Sequence, residues 1–458
     1  MISKKALNIF GTDGVRGRAN IPPMTVENAL ALGRAAGKLF RRHDGRHRVV
    51  IGKDTRLSCY MFENALIAGF CSMGVDTLMM GPLPTPGVAF ITRAYRADAG
   101  VVISASHNPY YDNGIKFFSS EGFKLSDEWE KQVEALVRNN DFENSCPADW
   151  EIGKNTLIND VGGRYIEFVK ATFPRRMSLK NLTIALDCAN GAGYRVAPLV
   201  FRELDAEVFD YGVNPDGFNI NDGCGSLHPQ LIQKSVLDHS ADVGIALDGD
   251  ADRIIMVDER GQLVDGDVIL AICAEDMKKQ GFLGNNKVIG TVMTNLGIIH
   301  HLESLGIEFI PAKVGDRHVI REMQRHGANL GGEQSGHVIF LDYNTTGDAL
   351  VTALQVLRIM IETGTKLSDL VSKLIRYPQA LVNVKVASKP LLETLPQVQE
   401  TIAQCEKSLG SAGKVLVRYS GTESVCRVMV EGRDQHQVQN MAESIADAVK
   451  TSIGRKSI

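Results

Sequence analysis

The sequence lacks the features that mark membrane, secreted or nucleic-acid-binding proteins. In its 458 residues no apolar run approaches the ~20 residues of a membrane span. Lys4 and Lys5 are not followed by an apolar segment, so we expect no secretory signal. The formal net charge of −4 provides no general basic surface for nucleic acid. We therefore expect a cytoplasmic protein without membrane or nucleic-acid partners.

Closely paired cysteines are also absent. The eight cysteines are scattered at positions 59, 71, 146, 188, 224, 273, 405 and 426. This spacing argues against a zinc site or a disulfide framework and fits a reducing compartment. The composition is otherwise that of a globular protein, with 44% hydrophobic and 23% charged residues. At ~100–150 residues per domain, the length predicts three or four domains.

A repeated pattern organises the first three quarters of the chain. Segments 48–81, 182–212 and 287–316 each read as an apolar strand, a polar loop, a helix and a second strand. This alternation predicts βαβ units on largely parallel sheets, in three similar α/β/α domains. Each copy is followed by a strand, a polar loop and a strand, and the loops read SASHNP, DGDADR and GEQSGH. Open α/β sheets bind ligands at strand ends, so we expect the three loops to line one central cleft.

The tail has no βαβ pattern. Segment 414–432 reads as strand, loop and strand, and a helix with an apolar face follows it, which predicts a smaller C-terminal α+β domain. The predicted domains are 1–157, 158–257, 258–374 and 375–458.

The first polar loop carries a candidate nucleophile. Ser106 and His107 lie between the apolar runs 101–103 and 115–118, and a hydroxyl on a rigid loop between buried strands suits covalent catalysis. Ser-His alone more often marks an ordinary capped turn. Near the N-terminus, the glycines of FGTDGVRG permit a tight backbone and close approach to a ligand, and Arg16 could pair with an anion. A glycine-rich turn before a helix is the alternative.

The second loop predicts a metal site. Asp248, Asp250 and Asp252 alternate between buried strands, and carboxylates suit Mg²⁺ or Mn²⁺. Without a compensating positive charge, three carboxylates beside these buried strands would repel one another. A polar turn with solvated aspartates is one alternative. An EF-hand is the other, since Glu259 falls at the twelfth position. Arg253, however, occupies the place that needs Gly, and the flanks are strands.

Two further loops suit a phosphorylated sugar. In GEQSGH, Glu333, Ser335 and His337 alternate and could bind hydroxyl groups. The tail loop offers guanidinium groups, hydroxyls and a glycine N–H, the donors that bind phosphate, although a solvated hairpin tip is the alternative. Its residues are Arg418, Ser420, Gly421, Thr422 and Arg427. Nucleophile, cation, polyol and phosphate sites together predict phosphoryl transfer on a phosphosugar.

These motifs, in this order over the full length, resemble the α-D-phosphohexomutase superfamily. The evidence is FGTDGVRG, SASHNP with YDNGIK, DGDADR, GEQSGH and RYSGTES. The combination with AKVGDR and NTTGDAL is most similar to the bacterial members that act on glucosamine phosphates. The resemblance implies four domains around one cleft, a phosphoserine at Ser106, and one Mg²⁺ held by Asp248, Asp250, Asp252 and phospho-Ser106. Further residues implied as catalytic or substrate-binding are Arg16, His107, Lys116, Arg253, Glu333, Ser335, His337, Arg418, Ser420, Gly421, Thr422 and Arg427.

The resemblance also implies a reaction. Phospho-Ser106 gives its phosphoryl group to the C1 oxygen of glucosamine 6-phosphate, and glucosamine 1,6-bisphosphate, intermediate and activator, then returns its 6-phosphate to Ser106. The product, glucosamine 1-phosphate, would feed UDP-N-acetylglucosamine and cell-wall synthesis. Lys116 and His337 both remain candidates for proton transfer, and a monomer and a homodimer remain open.

Alternatives and departures from the family pattern remain. A phosphomannomutase/phosphoglucomutase is the nearest alternative, although GEQSGH rather than GEMSGH favours the amino sugar. A phosphatase or a non-catalytic phosphosugar-binding protein is the other.

Ala251 replaces a usual Gly in the aspartate loop, which would constrain the loop if that position needs a positive φ. Ser424 replaces a usual Pro, and His318 stands where Tyr is common.

Overall fold

The computed structural model describes residues 9–11, 13–41, 45–140, 142, 146–147, 149–420 and 424–454. The chain forms two compact units. Met1–Met293 with Ile307–Ser372 make the first unit, and Thr294–Gly306 with Lys373–Ile458 make the second. No helix in the described ranges is both long and apolar enough to cross a membrane.

The first α/β domain is built on a mixed six-stranded sheet with the order β1-β5-β4-β2-β3-β6. Strands β2, β3, β4 and β6 run parallel, and β5 returns antiparallel to β4. Its elements are β1 (Val15–Arg18), α1 (Val26–Phe40), β2 (His47–Lys53), α2 (Leu57–Ser72), β3 (Val75–Pro82), α3 (Thr85–Ala94), β4 (Ala99–Ile103), β5 (Asp112–Ser119), α4 (Asp127–Asn139) and β6 (Asn155–Leu157).

Small residues let the two main helices of this domain pack closely. Thr25 caps α1 by accepting the Asn28 N–H at 3.3 Å. Where α1 crosses α2, Gly33 faces Gly69, and a Cβ on Gly33 would lie 2.7 Å from the Leu66 carbonyl oxygen. Only glycine permits this contact, which seats both helices on the sheet.

The sequence prediction missed β1. We interpreted FGTDGVRG as a tight glycine-rich segment without a strand, but Val15–Arg18 pairs antiparallel with β5, with Arg16 opposite Gly114. Edge pairing of this kind depends on a partner about 100 residues away, which no local pattern shows. The consequence is that Arg16 lies beside the strand that follows the serine loop.

The second α/β domain carries a five-stranded sheet with the order β11-β10-β9-β7-β8. Strand β7 is parallel to β8 and β9, and β10 returns antiparallel to β9. The elements are α5 (Val161–Ala171), β7 (Thr183–Asp187), α6 (Val196–Arg202), β8 (Glu207–Tyr211), α7 (Gln230–His239), β9 (Val243–Leu247), β10 (Ile254–Asp258) and β11 (Leu263–Val264).

The third α/β domain repeats the pattern on a four-stranded sheet with the order β13-β12-β14-β15. Its last strand again returns antiparallel. In chain order the elements are α8 (Gly266–Lys279), β12 (Lys287–Thr291), α9 (Leu296–Ser304), β13 (Glu308–Ala312), α10 (Asp316–His326), β14 (Leu330–Gly332), β15 (Val338–Phe340), α11 (Ala349–Thr363) and α12 (Leu367–Val371). Of these, α9 belongs to the second unit.

The second unit has a three-stranded antiparallel sheet with the order β16-β18-β17. Glu431, which is fully buried, accepts hydrogen bonds from Gln379 Nε2 at 2.8 Å and from the Leu296 N–H that begins α9. The elements are β16 (Gln379–Lys385), α13 (Pro396–Leu409), β17 (Lys414–Tyr419), β18 (Val425–Glu431) and α14 (Gln435–Ile453). The predicted fold class, three similar α/β domains with largely parallel sheets and a smaller α+β domain, is confirmed.

A buried carboxyl group begins α11. Asp348 accepts the N–H groups of Leu350 and Val351 at 3.1 Å each, the Tyr165 hydroxyl at 3.0 Å and Asn344 Nδ2 at 3.1 Å. Burial raises the pKa of Asp348 to about 6, although these donors favour the carboxylate. The folded protein therefore holds this proton more tightly than the unfolded chain does.

We expect this group to make stability depend on pH in an identifiable window. Because the folded pKa lies above the ordinary value of 3.8, its contribution to stability is lost as the pH rises from about 4 to about 6. The free energy of unfolding of the wild type, minus that of Asp348→Asn, should fall by about 3 kcal/mol across this window. Urea titrations at a series of pH values measure the difference. A flat difference would show that the pKa of Asp348 is not raised in the folded protein.

Candidate active site

Loops from all three α/β domains meet within the first unit. The serine loop (104–111) joins β4 to β5, the aspartate loop (248–253) joins β9 to β10, and the GEQSGH loop (332–337) joins β14 to β15. Ser106 Oγ donates a hydrogen bond to Asp248 Oδ2 at 2.5 Å, and His337 Nδ1 lies 3.6 Å from Asp252 Oδ2. The expectation that these loops come together is therefore confirmed by direct contacts.

Ser106 occupies a strained and buried position. Its φ is +52°, in the left-handed region that residues other than Gly, Asn and Asp seldom adopt, and its exposed fraction is 1%. The Ser106 N–H donates to Ser104 Oγ at 2.9 Å, and the Asn108 N–H closes a turn onto the Ala105 carbonyl at 3.1 Å. Such strain persists only where the surroundings impose it, and it is common at functional sites.

The three aspartates form a cluster that suits a divalent cation. One carboxylate oxygen from each of Asp248, Asp250 and Asp252 lies within 4.8 Å of the others, and all three side chains are buried. Within the described ranges, Asp250 Oδ1 and Asp252 Oδ1 have no hydrogen-bond partner. Buried oxygens left without donors are costly, and a hard cation would satisfy them. The residues present therefore fit Mg²⁺.

The three carboxyl groups differ in their electrostatic surroundings. Burial, together with the charges of Asp252 and Asp250, raises the pKa of Asp248 well above its usual range. For Asp250, burial also raises the pKa, but the ammonium group of Lys116 outweighs it and lowers the pKa. Lys116 Nζ donates to Asp250 Oδ2 at 2.9 Å, and Thr85 Oγ1 donates to the same oxygen at 2.7 Å. Asp248 is thus the carboxylate of the cluster whose negative charge is least offset by neighbouring positive charges.

Cations surround Asp13, beside the aspartate cluster. Lys116 Nζ lies 3.5 Å from Asp13 Oδ2, and Arg16 and Lys124 also pair with this carboxylate. Burial raises the pKa of Asp13, but these three cations together hold it well below its usual range. Lys124 also pairs with Asp316, which links the first domain to the third. Asp13 therefore fixes Arg16 and Lys116 at the predicted site.

Sequence reasoning missed Asp13, Lys124 and Asp316 as parts of this network. Asp13 and Asp316 lie within the motifs FGTDGVRG and AKVGDR, which gave some signal. Lys124 lies in no motif, and it is 192 residues from Asp316 in the sequence. Only the assembled domains bring this ammonium group to both carboxylates.

His107 is a neutral neighbour of Ser106. Its Nδ1 lies 3.4 Å from Ser106 Oγ and 3.3 Å from Arg253 Nη1. Because Arg253 can only donate, Nδ1 accepts and the ring proton is on Nε2. Burial, followed by the charges of Arg253 and Arg16, lowers the pKa of His107 to about 4. His107 can accept a hydrogen bond here but carries no charge near neutral pH.

His337 is fixed at both ring nitrogens. The Gly347 N–H donates to Nε2 at 3.0 Å, so Nδ1 carries the ring proton and faces Asp252. A Cβ on Gly347 would lie 2.7 Å from the His337 ring and from the Asp252 carbonyl oxygen. Glu333 Oε1 accepts the Gly315 N–H at 2.8 Å, whereas Ser335 is exposed. The three predicted residues of this loop therefore have different surroundings.

The predicted phosphate loop lies in the second unit. Arg418 on β17 and Arg427 on β18 are directly opposite each other in the antiparallel pair. Burial, and secondarily the charge of Arg427, lowers the pKa of Arg418. Ser420 is buried, and its carbonyl oxygen accepts a hydrogen bond from Lys389 Nζ at 2.6 Å. The predicted residues Gly421 and Thr422 lie outside the described residues.

Ala251 replaces a usual glycine of the family, and its position does need the positive φ that would constrain the aspartate loop. Ala251 has a φ of +54° and is fully buried in the aspartate loop. An alanine in this conformation is strained by roughly 1–2 kcal/mol relative to the right-handed region. Its N–H donates to the Asp248 carbonyl at 3.0 Å, and its own carbonyl accepts the Ala349 N–H at 3.2 Å. These bonds hold the loop in a conformation that glycine would adopt more easily.

Family models for phosphoglucomutase/phosphomannomutase match four segments of the chain. The alpha/beta/alpha domains I, II and III match residues 7–144, 163–261 and 265–377, and the C-terminal domain matches residues 381–448. The phosphoglucosamine mutase of Protochlamydia amoebophila is 68% identical over 451 residues, 98% of each chain. That of Chlamydia caviae is 63% identical over 454 residues, 99% of each chain.

Solved structures share the fold at lower identity. A phosphoglucomutase/phosphomannomutase family protein from Burkholderia thailandensis has a TM-score of 0.82 at 23% identity, over 97% of each chain. The Aspergillus fumigatus N-acetylphosphoglucosamine mutase, solved in complex with GlcNAc-6P and magnesium, has a TM-score of 0.67 at 19% identity. That match covers 97% of this chain and 95% of the other. With the four family models and these full-length relatives, the chain belongs to the phosphoglucomutase/phosphomannomutase family of α-D-phosphohexomutases.

Proposed function

We propose that this chain is a phosphoglucosamine mutase that interconverts glucosamine 6-phosphate and glucosamine 1-phosphate through a phosphoserine at Ser106. The observation that carries the proposal is the hydrogen bond from Ser106 Oγ to Asp248 Oδ2 at 2.5 Å, at the edge of a buried three-carboxylate cluster. The amino sugar is supported by the full-length relatives with 68% and 63% identity, which are named phosphoglucosamine mutases.

The proposed reaction consists of two phosphoryl transfers. In the first, the C1 oxygen of glucosamine 6-phosphate attacks phosphorus, the bond from phosphorus to Ser106 Oγ breaks, and glucosamine 1,6-bisphosphate forms. In the second, Ser106 Oγ attacks the 6-phosphate, and glucosamine 1-phosphate leaves. One Mg²⁺ held by Asp248, Asp250, Asp252 and an oxygen of phospho-Ser106 would neutralise charge on the transferred group.

The residues around Ser106 would supply the remaining charge and hydrogen bonds. Arg16 and Lys116, both held by Asp13, would stabilise the phosphoryl oxygens. The buried position of Ser106 would keep water from the phosphoserine, which would otherwise hydrolyse. Arg253 and the GEQSGH loop would bind the sugar.

Of the two candidates for proton transfer, the geometry favours Lys116. Both ring nitrogens of His337 are engaged, Nε2 by the Gly347 N–H and Nδ1 toward Asp252. The ammonium group of Lys116 has rotatable donors, and it reaches Asp250 at 2.9 Å and Asp13 at 3.5 Å. Lys116 could therefore exchange one of these partners for a sugar or serine oxygen, whereas His337 would have to leave its backbone donor.

The second unit would bind a phosphate group of the substrate. Like charges directly opposite on neighbouring strands destabilise a sheet, and Arg418 faces Arg427 in this way on β17 and β18. A bound phosphate would accept hydrogen bonds from both guanidinium groups. The buried Ser420 directly follows β17 in the chain.

Phosphorus NMR on parallel reactions tests this proposal. The purified protein is mixed with Mg²⁺, a trace of glucose 1,6-bisphosphate and either glucosamine 6-phosphate, glucose 6-phosphate or mannose 6-phosphate. We expect the 1-phosphate signal to grow fastest from glucosamine 6-phosphate. Faster conversion of glucose or mannose phosphate would assign the chain to the phosphoglucomutase/phosphomannomutase activity instead. Inorganic phosphate as the main product would indicate a phosphatase.

A further inference from the structure

The serine loop is held in place by side chains that the proposed reaction does not use. Ser106 keeps a φ of +52° although it is neither Gly nor Asn. The bond from its N–H to Ser104 Oγ fixes one side of the residue. Its carbonyl oxygen is held by donors from outside the serine loop.

The side chains of Asn221 and Arg56 donate hydrogen bonds to the same two carbonyl oxygens. Asn221 Nδ2 donates to the Ser106 carbonyl at 2.9 Å and to the Asn108 carbonyl at 3.0 Å. Arg56 Nη2 donates to the same oxygens at 3.1 Å and 2.5 Å, while Arg56 is itself paired with Asp54. Both partners of Asn221 are acceptors, so its amide NH₂ group must face them.

The two donors come from different domains. Arg56 lies between β2 and α2 of the first domain, which also carries the serine loop, whereas Asn221 lies between β8 and α7 of the second domain, which carries the aspartates. Asn221 is 9% exposed, and its N–H donates to the Ala189 carbonyl at 2.9 Å. Its amide therefore ties the serine loop to the framework of the second domain.

Asn221 also lies where the serine loop touches the aspartate loop. A Cβ on Gly249 would be 2.5 Å from the Ser106 carbonyl oxygen and 2.9 Å from Asn221 Nδ2. The amide thus lies at the contact between the loop that carries Ser106 and the loop that carries Asp248. A shift of one loop relative to the other would change the distance between the serine oxygen and the carboxylates.

We propose that Asn221 is a positioning residue that sets Ser106 Oγ against Asp248 for phosphoryl transfer. This inference rests on the proposed function, in that Ser106 must receive and release the phosphoryl group. Asn221 bonds the backbone of Ser106 and not its hydroxyl, so it acts on the transfer step through loop geometry. Misplacement of a reacting group by about 1 Å can slow a reaction on the order of 10²-fold.

Two substitutions at this position test the inference. Asn221→Ala removes both hydrogen bonds, and Asn221→Asp keeps the shape but places a carboxylate oxygen against two carbonyl oxygens. We expect kcat to fall on the order of 10- to 100-fold in both variants, with KM for the sugar phosphate within about two-fold of the wild type. The rate at which glucose 1,6-bisphosphate and Mg²⁺ phosphorylate Ser106, followed by intact-protein mass spectrometry, should fall in parallel.

Asn219→Ala is the matched control. Asn219 lies in the same loop, where its side chain bonds the Asp216 N–H at 3.1 Å and the Asn214 carbonyl at 3.0 Å. Its loss should lower the thermal midpoint but leave kcat within about two-fold of the wild type. An equal loss of kcat in Asn219→Ala and Asn221→Ala would overturn the inference, because loop folding in general would then explain it.

Further outcomes show whether the positioning role, the proposed function or both have failed. Unchanged kcat in both Asn221 variants, or a rise in KM alone, would overturn the positioning role. A wild type that phosphorylates Ser106 but converts no glucosamine phosphate would refute the proposed substrate, and slower phosphorylation in the variants would still support the role of Asn221. No phosphorylation of Ser106 in the wild type would refute both.

Discussion

Replacing Ser106 with Ala is expected to lower mutase turnover by about 10⁴-fold or more and to leave the affinity for glucosamine 6-phosphate within a few-fold of the wild type. Loss of a covalent nucleophile has effects of this size because the remaining groups cannot accept the phosphoryl group. The fold should tolerate the change, since Ser106 already has a φ of +52° and Ala in that conformation adds little further strain. Turnover is measured by phosphorus NMR, and binding by calorimetry.

The matched control is Ser119→Ala. Ser119 lies at the end of β5 away from the serine loop, and the same chemical change there should leave turnover unchanged. Turnover of Ser106→Ala within ten-fold of the wild type would show that another group carries the phosphoryl group. A loss of binding as large as the loss of turnover would instead place Ser106 in substrate recognition.

The second large effect is expected at the aspartate cluster. Asp248→Asn should weaken Mg²⁺ binding on the order of 10²-fold or more, because it removes one of three charged ligands. In the presence of a chelator, however, the variant should be more stable than the wild type. Burial and the neighbouring Asp252 and Asp250 raise the pKa of Asp248, so its charge destabilises the metal-free fold. Thermal midpoints with EDTA and with saturating Mg²⁺ should therefore rank the two proteins in opposite orders.

Asp258→Asn controls for the loss of a buried aspartate. Asp258 accepts the N–H groups of Arg260 and Gln262 at 2.9 Å and 2.8 Å, at the other end of β10. Its variant should keep wild-type affinity for Mg²⁺ and lose stability by about 1–3 kcal/mol with and without the cation. A Mg²⁺ affinity of Asp248→Asn equal to that of the wild type would contradict the metal site.

The parts of the site that the sequence predicted are those with a local pattern. Alternation of Asp248, Asp250 and Asp252 between two apolar runs is enough to predict convergent carboxylates, and the repeated strand order predicts that the loops meet. For Ala251 the sequence predicted a constrained loop only if that position needs a positive φ, and the structure supplies the φ of +54°.

The parts that the sequence did not predict depend on contacts between domains. Lys124 bonds Asp316, 192 residues away, and Asn221 bonds the serine loop, 115 residues away. Neither residue has neighbours in the sequence that indicate its partner. Strand β1 was missed for the same reason, since four residues of an edge strand become a strand only when β5 is present beside them. Such contacts require the assembled fold.

In the proposed mechanism Ser106 itself carries the phosphoryl group, and a label on that group tests this step. Protein phosphorylated by ³²P-labelled glucose 1,6-bisphosphate is freed of small molecules, mixed with unlabelled glucosamine 6-phosphate and Mg²⁺, and quenched at intervals. Because the sugar bisphosphate returns its unlabelled 6-phosphate to Ser106, we expect the label to leave the peptide that contains Ser106 and to appear in glucosamine 1-phosphate during the first turnover. Label that stays on Ser106 while glucosamine 1-phosphate forms, or that is found on another residue, would contradict the proposed mechanism.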